Sequence, residues 1–134
     1  MGGTYHDLKV WQSAMELAMA VYQATQKFPR DEIYGLTSQM RRASVSIASN
    51  IAEGKGRSSD KELLQFLSRA RGSAYELQTQ VELAGMLAYL PAPECEGLAE
   101  HSASVGRMLN KLIATIRQAV GVTQVLSQSA EPKG

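Results

Sequence analysis

The residues most suggestive of chemistry lie between positions 41 and 71. Seven basic side chains fall there: Arg41, Arg42, Lys55, Arg57, Lys61, Arg69 and Arg71. Only Glu53, Asp60 and Glu62 oppose them, a local excess of four positive charges in a chain of formal net charge +1. Such a cluster can neutralise phosphates and release their counterions. At its centre is "EGKGRSS", residues 53–59. A phosphate-cradling P-loop needs G-x-x-x-x-G-K-[ST] after a strand. Here Lys55 is followed by Gly56 and the stretch closes a helical pattern, so the loop reads as a corner between helices. A solvated corner is the bland alternative to a phosphate-contacting one.

Other reactive residues make no constellation. His6 and His101 are the two histidines, and Gly3 and Leu98 precede them by three. The Glu-x-x-His step of di-metal bundles is therefore missing, and no metal or cofactor is expected. Ser44, Ser46 and Ser49 have no nearby histidine to act as base. Cys95, the single cysteine, lies between Glu94 and Glu96, which oppose any lowering of its pKa. A catalytic function is not expected. One cysteine and no apolar leader or long apolar run point to a cytoplasmic protein without a membrane partner.

Four amphipathic segments must position the basic residues, at about 8–27, 35–53, 59–90 and 93–120. The first opens with Asp7 as expected N-cap. In the second, Leu36, Met40, Ala43, Ile47 and Ile51 recur at helical spacing, and Gly54 is the expected left-handed C-cap. Ser59 and Glu62 form a capping box for the third, whose seam is Leu63, Leu67, Ala70, Ala74, Leu77, Val81 and Ala84. Leu98, Ser102, Val105, Leu109, Leu112 and Ile116 make the fourth seam. Short links between such helices imply an all-α, up-down-up-down antiparallel four-helix bundle, one domain over 1–134 with loose ends at 1–6 and 121–134.

Polar residues along helices two and three, Glu53 with Arg69 or Arg71 among them, suggest an interhelix network. Gly72 suggests a close helix–helix approach, because a helical glycine costs about 1 kcal/mol against alanine. Leu64, Tyr75 and Met86 are spaced by eleven, three helical turns. They form a second apolar stripe on helix three and are the expected oligomer contact.

The pieces "DLKVWQSAMELA", "VYQATQKFP", "YGLTSQMRRASVSIASNIAEGKGR" and "FLSRARGSAYELQTQV" occur in this order. In them the chain resembles the four-helix bundle proteins encoded in intervening sequences of 23S ribosomal RNA. The resemblance implies a homopentameric ring. A related branch, the accessory proteins of diversity-generating retroelements, implies contact with a nucleic-acid-processing protein and with RNA through a basic surface. Carried onto this chain, that surface is Arg41, Arg42, Lys55, Arg57, Arg69 and Arg71. The near-neutral charge favours the other expectation, a structural scaffold without nucleic-acid affinity.

Overall fold

The computed structural model describes residues 3–130, with the side chains of 122–125 and 127–130 excepted. Helix α1 spans Lys9–Thr25, α2 Leu36–Lys55, α3 Asp60–Met86 and α4 Ala92–Ala130, with short 3-10 turns at Tyr5–Asp7 and Arg30–Glu32. Each helix approaches its sequence neighbour, and α4 closes back onto α1. Contacts between neighbours run in opposite directions. Arg41 meets Thr25 while Val45 and Ala52 line a groove with Trp11 and Tyr5. Ser46 meets Ser73 while Gly54 lies over Phe66. Arg71 meets Asn110 while Gly85 lies against Cys95. The bundle is thus antiparallel throughout.

The seams read from spacing form the core. All five of the α2 residues are buried, as is the α3 seam from Leu67 to Ala84. Val10, Ala14, Leu17, Ala18 and Val21 supply the α1 face. On α4 the seam holds through Leu109 and then passes to Ile113; Leu112 and Ile116 are only partly buried. A straight helix turns by 3.6 residues, so a strict heptad seam drifts off the core face over several turns.

Several helix ends differ from expectation. Asp7 does not cap α1, because the 3-10 turn carries it past that position and Leu8 becomes the N-cap. Tyr5, His6 and Trp11 gather their rings around this turn, with centroids 4.2–5.1 Å apart. Helix α4 continues through Gly121 to Ala130. A single glycine costs about 1 kcal/mol but does not end a helix, and the next proline is Pro132. Of the expected loose ends, residues 1–2 and 131–134 lie outside the described residues.

Helix α3 ends at Met86, short of the expected Leu90. The Tyr89 amide donates to the Ala84 carbonyl and the Ala88 amide to that of Gly85. This is the Schellman arrangement, and Ala88, at φ 60°, holds the left-handed position usually given to glycine. That conformation costs an L-residue on the order of 1 kcal/mol. It brings Tyr89 against Phe28, with ring centroids 5.3 Å apart.

The Tyr89 hydroxyl donates to Glu32 Oε2 at 2.8 Å. The other oxygen of Glu32 accepts from the Leu36 amide, the first of α2, at 3.1 Å. A Cβ on Gly35 would lie 2.5 Å from that oxygen, so glycine makes room for the carboxylate. The two bonds, the amide's first, hold the Glu32 carboxyl below its ordinary range, and the carboxylate pushes the Tyr89 hydroxyl up.

Two glycines depart from their expected roles. Gly54 is not left-handed: α2 continues one residue past it, and Gly56, at φ −80°, is the C-cap. A Cβ at 54 would lie 2.8 Å from Phe66 Cβ and 3.1 Å from Leu63 Cδ1, so the close approach of α2 and α3 is here. Gly72 is exposed, and a Cβ there would meet nothing within 4 Å. Spacing identifies a glycine inside a helix but not the neighbour it faces. Gly54→Ala is expected to destabilise the bundle by about 1–3 kcal/mol despite its better helix propensity, because Phe66 Cβ cannot swing away. Gly72→Ala is expected to stabilise it by up to about 1 kcal/mol. Urea unfolding of the two variants checks the opposite signs.

A second prediction concerns Glu32. Its lowered pKa means a contribution present above the ordinary carboxylate range and lost as pH falls through the folded value. The raised Tyr89 value gives a contribution present below the ordinary tyrosine range and lost as pH rises through the folded one. Both operate near neutrality. Glu32→Gln should be less stable than the parent at pH 7, with the gap closing as pH falls below the ordinary carboxylate range in a series of thermal melts.

Candidate nucleic-acid interface

The corner between α2 and α3 is built from both helix ends. Lys55 is the last residue of α2 and is half-buried, while Arg57 stands exposed in the link. Ser59 Oγ accepts the Glu62 amide at 3.2 Å and starts α3. The positive end of a 27-residue helix therefore faces the corner, moderated by Asp60 and Glu62 in its first turn. Phe66 lies half-buried over Gly54.

Two guanidinium groups lie over the Phe66 ring. Arg57 Cζ and Arg69 Cζ are each 4.8 Å from its centroid. Arg57 also pairs with Glu53, four residues back in the last turn of α2, at 3.2 Å. Among the described residues Arg69 and Lys55 form no ion pair. The expected bridge from Glu53 to Arg69 or Arg71 is thus replaced by an i,i+4 pair, for which Arg57 is already in reach. The polar link between α2 and α3 is instead the Ser46–Ser73 hydroxyl pair at 2.9 Å, with Asn50 donating to Ser46 Oγ at 3.0 Å.

The remaining arginines stand elsewhere. Arg41 is half-buried against α1: Nε donates to Thr25 Oγ1 at 2.9 Å, Nη2 to the Tyr22 carbonyl at 3.4 Å, and Cζ lies 4.7 Å from the Tyr22 ring centroid. It serves the last turn of α1, where carbonyls need donors. Arg42 is exposed beside a groove that also includes Tyr22, Ile33 and Val45. By helical rise it is roughly 20 Å from Arg57. Arg71 is two residues from Arg69, so it points to the opposite side of α3, and its Nη1 donates to Asn110 Oδ1 at 3.2 Å. Of the six arginines and lysines expected to share a surface, Arg57 and Arg69 are brought together over Phe66 and Lys55 ends α2 at the same corner; Arg41, Arg42 and Arg71 stand elsewhere.

The expected oligomer residues differ in setting. Leu64 is partly buried against the core, Tyr75 is half-exposed and accepts from Asn110, and Met86 is 85% exposed at the far end of α3. A broader apolar surface runs between α1 and α2, where Trp11, Met15 and Val45 border a groove floored by Ala18, Ala48, Ser49 and Ala52.

The residues weighed for chemistry are occupied separately. His101 Nε2 lies 3.1 Å from the Ser13 carbonyl. Ser44 donates to the Arg41 carbonyl, and the half-buried Cys95 thiol donates to that of Val81 at 3.6 Å. Among the described residues no three of His, Cys, Asp and Glu are grouped to hold a metal ion, and no helix is long and apolar enough to cross a membrane.

Residues 6–111 match the family model described as 23S rRNA-intervening sequence protein. The chain belongs to this family. A similar solved structure is that of a protein of unknown function from the S23 ribosomal protein family of Bacteroides thetaiotaomicron. It superposes with a TM-score of 0.71 at 21% identity, covering 78% of this chain and 97% of that one. That likeness shows the fold. No curated protein matches the sequence. The matched region takes in all of the corner, from Glu53 to Arg69.

Phe66 was not among the residues singled out by spacing. Its one sequence signal is an aromatic three positions before an arginine on a helix, a spacing that lets the two stack. A thermal-melt comparison separates the arginines: Arg41→Ala is expected to cost about 1–2 kcal/mol through its lost bonds to α1. Arg69→Ala should cost less than about 1 kcal/mol.

Proposed function

We propose that this protein is a non-catalytic, self-associating bundle that binds RNA through the α2–α3 corner. The observation that carries the reading is the pair Arg57 and Arg69 lying over the one Phe66 ring, with Lys55 ending α2 at the same corner and Glu53, paired with Arg57, as the one ion-paired carboxylate there. Cations held at a corner between two helices present charge to a phosphate chain without the disorder of a free basic tail. Membership in a family whose name refers to intervening sequences of 23S rRNA supports RNA as the class of ligand to test first.

Self-association is favoured by the groove between α1 and α2. Met15, Met19 and Tyr22 follow one another at helical spacing and are 42–63% exposed, beside Val45 at 43%. A monomer leaves such an apolar face in water; copies of the chain arranged around an axis cover it. A ring of five, as the resemblance implies, would repeat the corner five times and raise avidity for a long RNA. Met86, and with it Tyr75, remains available for contacts at the edge of each copy.

Fluorescence anisotropy with a structured RNA at several salt concentrations tests the reading. Binding should weaken steeply with salt, and Arg57→Ala with Arg69→Ala should flatten the slope of log K against log[salt] by about 1–2. Light scattering on the same samples should give a mass several times 14.5 kDa. Absence of RNA binding at low salt would favour the interaction-scaffold reading, for which the α1–α2 groove is the motive.

A further inference from the structure

We propose that Arg57, Phe66 and Arg69 form a stacking platform for an unpaired base, so that the corner takes single-stranded RNA in preference to duplex. The inference rests on the RNA-binding reading and narrows its ligand.

Two guanidinium groups share one aromatic ring at the corner. Each guanidinium carbon lies 4.8 Å from the centroid of the same ring. The ring is fixed from below, because Phe66 is half-buried and its Cβ sits over the space left by Gly54. A guanidinium held against a fixed ring loses much of the freedom of an exposed arginine while staying open to a ligand. Arg57 and Arg69 are both exposed. Planar cations pre-positioned in this way are suited to stacking on nucleobases, which a duplex keeps inside its own stack and a single strand leaves open.

The extent of the charge points the same way. A duplex is gripped across successive grooves, which asks for a broad basic surface. Here Arg42 is roughly 20 Å away along α2, Arg71 is turned to the α4 side, and Arg41 is tied to α1. The corner alone spans a few nucleotides. Lys55, a point charge at the end of α2, suits a phosphate, and Arg69, with no carboxylate partner among the described residues, keeps its full charge for the ligand. Phosphate attraction by itself would be served equally by lysines. Two arginines over one phenylalanine are chosen by planarity.

The test uses the full chain and two labelled probes, an unstructured RNA of about twelve nucleotides and a duplex of the same length. Single-strand affinity should exceed duplex affinity. Phe66→Leu, which keeps the Cβ contact and most of the volume, should lower single-strand affinity about 5- to 100-fold and leave duplex binding little changed. The double variant Arg57→Lys with Arg69→Lys keeps the charge on exposed positions and should reproduce that loss with an unaltered salt slope. Equal binding of both probes, or unchanged single-strand affinity in the lysine variant, would overturn the stacking platform while leaving RNA binding standing. Binding of neither probe would overturn the RNA reading itself and the platform with it.

Discussion

Helices α2 and α3 can close on each other at their shared corner because residue 54 has no side chain. A Cβ there would overlap the first carbon of the Phe66 side chain, and no rotamer change can move that carbon away. Much else follows from the contact. It sets how near the start of α3 comes to the end of α2, and so where Lys55 and Arg57 emerge. It seats Phe66 on α2 instead of in solvent. It places Arg57, from the link, and Arg69, from the next turn of α3, over one ring. A pair of helices held apart by one methyl group would keep the same four-helix topology and lose this arrangement.

The two ends of the bundle have different characters. At the α2–α3 end the surface is basic and aromatic. At the other end Glu32 ties the first turn of α2 to Tyr89 in the α3–α4 turn, and Phe28 fills the space beneath. That end is joined by one carboxylate serving two donors and by a left-handed alanine. The core between them is built from seams of Leu, Ile, Val, Met and Ala, with the Ser46–Ser73 pair as the polar link across α2 and α3. Stability and presentation are thus separated: the seams hold the bundle, and the corner displays the cations.

The four helices and nearly all of their buried faces were legible in the sequence, because a 3.6-residue period of apolar side chains has few other solutions in water. Ends were less legible. Asp7 and Gly54 are sound capping residues by type, but the 3-10 turn before α1 and the packing of Phe66 decided their places. Gly72 and Gly54 look alike within a helical pattern, and only the neighbouring helix distinguishes them. The layout of the candidate corner was partly legible. Charge counting found Lys55, Arg57 and Arg69, yet it also drew in Arg41, Arg42 and Arg71, whose directions depend on α1 and α4. Glu32 and Tyr89 are 57 positions apart, and no local spacing links them.

The central claim is that the corner made possible by Gly54 is the RNA-contacting surface. Amide chemical-shift mapping by NMR during titration with a short single-stranded RNA tests it most directly. The account predicts shifts concentrated between Glu53 and Arg71, on the Phe66 side of α3, with the Arg41 region and the Glu32–Tyr89 end unmoved. Shifts centred on the α1–α2 groove or on the α3–α4 turn, with the corner silent, would contradict it.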